Sequence, residues 1–237
     1  MKHLLSIFCF AFLIFSCAKN TSNLTVIGKV KDLKKGTLYL QSIQDTLLIK
    51  LDSTNIDNKT SEFELKTTLN EPEVLYLTLD DNSKELRSIP FFAEKGLIEI
   101  NTSLKQFGIN PEIKGSKYQE TLDNYYKVIS RFKNQNLELV EARLQAQKDD
   151  DTIAYNNALK DSENLVKRNY LFSVNFALNN KESHVAPYIA LSEIYDANIK
   201  YLDTIYNALP DSISKSKYGK ALYDYIGERK TFENVSQ

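Results

Sequence analysis

The sequence predicts an α+β protein: an N-terminal antiparallel β-sandwich or barrel-like domain followed by a C-terminal α-helical domain. Three observations carry this reading. Five of the seven glycines and three of the five prolines fall between Gly28 and Gly115, whereas the long stretch from Ser116 to Ala186 contains neither. Glycine and proline punctuate turns and interrupt helices, so the first stretch reads as short elements and the second as long helices. Apolar residues alternate with period two up to about residue 100, and from Tyr118 onward they recur at three- and four-residue intervals.

In the first part, Val26, Gly28 and Val30 share one face, followed by Leu38 and Leu40, then Leu47, Ile49 and Leu51, then Phe63 and Leu65. Leu75, Leu77 and Leu79 form the clearest stripe, with Tyr76 and Thr78 opposite, and Phe91-Phe92 and Leu97-Ile98-Ile100 flank a turn at Glu94-Lys95-Gly96. About seven short strands at roughly ten-residue spacing suit a sandwich. Pro90 belongs at an edge or a strand start, because it cannot donate to a ladder.

In the second part, Ser116 and Gln119 have capping-box spacing, and Tyr118, Leu122, Tyr125, Ile129 and Phe132 follow at helical intervals. Asp149-Asp150-Asp151 breaks that helix, and a second runs from about Thr152 to Asn179. Pro187 suits the first turn of a third. Leu202, Ile205, Tyr206 and Leu209 mark a fourth helix, and Tyr218, Leu222, Tyr225 and Ile226 a fifth.

The segment from Met1 to Ser16 stands apart. Lys2 gives it a positive start, an apolar run from Ile7 to Phe15 follows, and the small Ser16 precedes Cys17. Leu4 to Phe15 is a dozen residues, whereas spanning a bilayer takes about 20, so the segment reads as a removable export signal. Leu13-Ile14-Phe15-Ser16-Cys17 resembles the lipobox of bacterial lipoproteins. That resemblance implies cleavage before Cys17 and a diacylglycerol on its sulfur. Ala18, where retained lipoproteins carry Asp, implies the outer membrane, facing the periplasm. The expected organisation is signal peptide 1–16, tether 17–23, β domain 24–115 and helical domain 116–232.

Without its leader the chain holds 29 basic and 31 acidic residues, since Lys2 is the leader's only charged side chain among Lys, Arg, Asp and Glu. A formal charge near −2 gives no electrostatic reason to expect nucleic acid as a partner. Cys9 leaves with the leader, and acylation consumes the thiol of Cys17. No Cys-x-x-Cys is present, so the mature chain is expected to do no thiol chemistry.

The order of several short pieces resembles a family of envelope proteins. These pieces are Val26-Ile27-Gly28-Lys29-Val30, Gly36-Thr37-Leu38-Tyr39-Leu40, Phe92-Ala93-Glu94-Lys95-Gly96-Leu97-Ile98-Glu99-Ile100 and Ser183-His184-Val185-Ala186-Pro187-Tyr188. The resemblance is to anchored thiol–disulfide oxidoreductases whose N-terminal region is domain-of-unknown-function family 4369 (DUF4369). In them a thioredoxin-like domain with Cys-x-x-Cys follows the helical region; here the sequence ends at Gln237, about where that domain would start. The resemblance therefore implies the non-catalytic half of such a protein, with none of the family's catalytic residues to inherit.

Catalytic and metal-binding constellations are sparse. His184 is the one histidine after the leader, and just before a helix start it is expected in a surface or capping role. Asp149-Asp150-Asp151 and Asp80-Asp81-Asn82-Ser83 lack the spaced ligands of a calcium loop, and Asp and Asn favour turns and helix caps. Fourteen tyrosines and no tryptophan suggest amphipathic rings lining the edge of a helical core with hydroxyls in water; stacking on a sugar or peptide is the alternative. Asp-Ser/Thr-apolar triplets at Thr46, Thr152, Thr204 and Ser212 resemble the acceptor motif of a bacterial periplasmic O-glycosylation system, and ordinary helix capping explains part of the same pattern.

The expectation is thus a non-enzymatic, lipid-anchored envelope protein with no cofactor, binding a small ligand between its domains or an envelope partner. The alternative is an accessory of a thioredoxin-like redox protein. An enzyme using carboxylates or tyrosines is the third reading.

Overall fold

The computed structural model describes residues 22–44, 47–57, 60–83 and 87–235. Eight strands come first: β1 (Leu24–Lys31), β2 (Gly36–Gln44), β3 (Leu47–Ile56), β4 (Glu62–Thr67), β5 (Glu73–Asp80), β6 (Arg87–Ala93), β7 (Gly96–Ser103) and β8 (Glu112–Lys114). Six helices follow: α1 (Lys117–Lys148), α2 (Thr152–Asn179), α3 (Val185–Ser192), α4 (Ile199–Ala208), α5 (Asp211–Ser214) and α6 (Lys217–Val235). The α+β class and its order, strands then helices, are as the glycine and proline distribution predicts.

The strands form two sheets, ordered β4-β1-β7-β8 and β3-β2-β5-β6. Their inner faces enclose one core, in which Val26, Leu40, Leu65, Leu77, Phe91 and Ile98 are at most 1 % exposed. Most of the period-two stripes point inward as expected. That of β3 does not: Leu47 is exposed and Ile49 and Leu51 are only half-buried, because β3 is an edge strand. One pairing departs from the antiparallel expectation: β1 and β7 run parallel, from Leu24 beside Gly96 to Lys31 beside Ser103. Strands β2 to β6 all lie between the two in the chain, so no local pattern announces the pairing. Pro90 sits on β6, an edge strand, where its missing N–H costs no ladder bond.

Residues 94–95 carry the chain from β6 in one sheet to β7 in the other, so the end of β6 and the start of β7 share one end of the sandwich. β1 starts there too. Gly96 N donates to Asn23 O at 2.8 Å, and the Asn23 side chain brackets Leu69 through two 2.8 Å hydrogen bonds.

The helices pack on the outer face of the second sheet. Val74 and Phe92 alternate with the inward residues of β5 and β6, and join Leu122, Tyr125, Ile129, Val185 and Ile189 in a junction core. A separate helical core holds α4, α5 and α6 against the end of α2 and α3. Asp149-Asp150-Asp151 makes the turn between α1 and α2, where Asp150 takes φ of +55° and the Asp151 carboxylate accepts the N–H groups of Ile153 and Ala154.

Candidate functional site

The junction between the domains is built around Phe92, which is fully buried. Its ring centre lies 5.6 Å from those of Tyr118 and Tyr188 and 5.9 Å from that of Tyr218. These are the ring separations at which aromatic pairs attract. Tyr218 also accepts a 2.8 Å hydrogen bond from Val74 N, beyond the last β2–β5 pair at Ser42 and Leu75. A strand amide that its neighbour has left unpaired is thus satisfied by a helix.

Gln119 does the same for β6. Ser116 Oγ accepts from Gln119 N at 3.1 Å, one half of the expected capping box. The other half is replaced: Gln119 Oε1 accepts from Phe92 N at 2.7 Å, on the open edge of the sheet. Gln119 Nε2 then donates to Asp123 Oδ1 at 2.7 Å. The side chain therefore ties α1 to the sheet and fixes the Asp123 carboxylate.

Asp123 stands at the rim of a cleft of about 360 Å³ between the domains. One wall is Ile89, Pro90 and Phe91 of β6; another is the loop Gly108-Ile109-Asn110-Pro111; the third is Leu122, Asp123 and Tyr126 of α1, with Tyr188 of α3 beside it. Gly108 takes φ of +84°, and a Cβ there would lie 2.9 Å from Ser88 O, so glycine lets the loop fold against β6. Ile109 beyond it is 78 % exposed.

The electrostatics are one-sided. Among the described residues Asp123 is the one charged side chain lining the cleft. Partial desolvation raises its pKa above the usual carboxylate value, outweighing the Gln119 hydrogen bond that lowers it, and neighbouring Glu120 adds to the rise. Tyr126 donates to Glu193 Oε1 at 2.9 Å. Burial, first of all, pushes the Tyr126 and Tyr188 hydroxyls further up, so both remain protonated donors near neutral pH.

Two expectations about side chains need correction. His184 has neither a surface nor a capping role: its side chain is 12 % exposed, it makes no capping hydrogen bond to α3, and its ring packs edge-on against Tyr118 at 5.4 Å. Its Nδ1 is buried with no hydrogen-bond partner, 4.0 Å from Glu71 Oε2. Burial holds its pKa below the ordinary value, against the attraction of Glu71. The tyrosines do line helical packing, but several hydroxyls bond inside the protein rather than to water. Tyr125 meets Ser173 Oγ at 2.8 Å, and Ser173 gives its own proton to Asn169 O, so Tyr125 is the donor. Tyr225 donates to Tyr195 O.

Of the modification candidates, Cys17 and Thr46 lie outside the described residues. Thr152 is exposed at the first position of α2, Thr204 is exposed within α4 with its hydroxyl donated to Lys200 O, and Ser212 is exposed on α5. They lie on three different helices and form no common site. A second, more open groove of about 1140 Å³ separates α4 from α6, lined by Tyr206, Tyr223, Ile226 and Phe232. Among the described residues no group of three or more His, Cys, Asp or Glu side chains could hold a metal ion, and no helix is long and apolar enough to cross a membrane.

Fold and cleft together define a β-sandwich module fused to a helical one through an aromatic junction. Residues 24–122 match the family model described as "Domain of unknown function (DUF4369)", so the sandwich and the first turns of α1 carry a DUF4369 domain. The match ends inside α1 at Leu122, so the turn carrying Gln119 belongs with the sandwich it is bonded to. No curated protein and no solved structure matches the chain.

Proposed function

We propose that this protein is a lipid-anchored, periplasm-facing envelope protein that binds a small ligand in the cleft between its two domains, without turning it over. The observation that carries the reading is the cleft itself. It has the size of a small-molecule site and walls of mixed polar and apolar surface, and it lies between the sandwich and the helices, the kind of junction where such sites concentrate. Asp123 offers charge there, Tyr188 a protonated hydroxyl, and Tyr126, whose own proton goes to Glu193, an acceptor oxygen, a set suited to orienting a ligand. The anchor rests on the lipobox ending at Cys17.

Ligand binding is tested by thermal shift of the purified chain against fractionated small-molecule extracts of the envelope, with Ile109→Trp and Asp123→Ala alongside. A fraction that raises the Tm of the wild type and of neither variant supports the cleft. Fractions that shift all three equally, or none that shifts the wild type, reject it. Anchoring is tested separately: Cys17→Ser should abolish radiolabelled palmitate incorporation and release the protein from the membrane fraction.

A further inference from the structure

We infer that the end of the sandwich from which the tether emerges rests on the lipid surface, with the tip of the β2–β3 hairpin, Ile43, Leu47 and Leu48, dipping into the bilayer interface; this rests on the anchor at Cys17 proposed above. Three observations converge. The chain leaves the fold at a fixed point, since Asn23 is pinned to Leu69 and Gly96. The seven residues 17–23 reach at most about 25 Å when fully extended, so an acylated Cys17 holds that end of the molecule close to the membrane.

The hairpin tip lies at the same end. Ser42 of β2 faces Leu75 near the start of β5, Glu73 at that start faces Ala93 at the end of β6, and residues 94–95 lead directly to Gly96 beside Leu24. Sheets stacked about 10 Å apart and strands about 4.8 Å apart put the tip within the tether's reach.

Apolar side chains flank the polar stretch Gln44-Asp45-Thr46 of this hairpin on both strands. Ile43 pairs with Leu48, and Ile43, Leu47 and Leu48 are 38 %, 66 % and 55 % exposed. Single exposed apolar residues are ordinary, whereas adjacent ones mark a contact surface. A lipid surface held next to them by the tether is the occupant that this geometry supplies.

The orientation follows from α1. Lys117 N donates to Glu94 Oε1, just past the end of β6, and Gln119 two residues on accepts from Phe92 N, so α1 advances as β6 is retraced from its tether end. The helix therefore runs away from the membrane. Leu144 is about 27 Å beyond Tyr126 at about 1.5 Å per residue.

The chain has no tryptophan, so one introduced residue reports its own surroundings. Leu48→Trp and Leu144→Trp are made in the full chain, expressed with its leader, and reconstituted into phosphatidylethanolamine–phosphatidylglycerol vesicles containing brominated acyl chains. Both positions are exposed Leu in the fold, at 55 % and 60 %, so the pair differs in place and not in exposure. The expected result is a blue-shifted emission that loses most of its intensity for Leu48→Trp, and an unchanged spectrum for Leu144→Trp. Vesicle-bound protein with neither emission quenched overturns the orientation and leaves the anchor standing, as does quenching of Leu144→Trp alone. A chain that carries no acyl group and does not float with the vesicles removes the anchor and this proposal together.

Discussion

Phe92→Ala is the sharpest test of how the two domains hold together. The side chain is fully buried, and it loses three aromatic neighbours, Tyr118, Tyr188 and Tyr218, at centroid distances of 5.6 to 5.9 Å. Truncating a buried Phe costs roughly 3–5 kcal/mol, because the cavity relaxes only in part. The loss should fall unevenly. Phe92 points out of the sandwich into the junction core, while Phe91, one residue earlier, points into the sandwich core. Hydrogen exchange measured by mass spectrometry separates the two outcomes, since it reports local opening free energies element by element. In Phe92→Ala the amides of α1 residues 117–132 and of α3 should lose about 3 kcal/mol of protection while those of β1 and β7 keep theirs. Phe91→Ala should lower β1 and β7 first. Equal losses in sandwich and helices for Phe92→Ala, or a helical loss below about 1 kcal/mol, would refute the junction as described.

Three further outcomes are expected. Gln119→Ala leaves Phe92 N without its partner at the sheet edge and should cost about 1–3 kcal/mol in chemical denaturation; a variant as stable as the wild type would mean that water replaces the amide. Gly28→Ala would place a Cβ 1.8 Å from Ile100 O, so β1 and β7 must part; a loss above roughly 3 kcal/mol is expected, and a protein melting with the wild type would contradict the close approach. His184 predicts a pH dependence. Its folded pKa lies below the ordinary 6.5, so between the two values the unfolded chain binds the extra proton. The stability gained by burying the neutral ring is present above about pH 6.5 and is lost as pH falls through that window. His184→Gln should therefore flatten the fall in unfolding free energy as pH drops below about 6.5, and a difference from wild type that stays constant with pH would discard the buried imidazole as its cause.

Local chemistry was legible in the sequence where the relevant partner is close by. The Leu75-Leu77-Leu79 stripe, the edge position of Pro90 and the Asp151 cap each depend on a few neighbouring residues, and each has its place in the fold. What depends on distant residues was not legible. Phe91 and Phe92 read as one apolar pair, yet they serve two cores, because which face is covered depends on helices that begin only at Lys117, two strands further on. Gln119 carried a capping signal that the sheet edge redirects. Asp123 was one acid among 31, and only the loop after β7 makes it the rim of a cleft. His184 looked exposed because nothing local shows Tyr118 and Glu71 closing over it.

The central place of β1 in its sheet has a mechanical meaning. Hydrogen-bonded to β4 on one side and to β7 on the other, the strand takes a pull on the tether along its own axis. Both ladders then carry the load in shear, many bonds at once, where a hairpin pulled from its edge would open one bond at a time. With the lipid anchor proposed for Cys17, a partner tugging on the helical domain would load a strand held along both edges, and the aromatic junction around Phe92 should yield first.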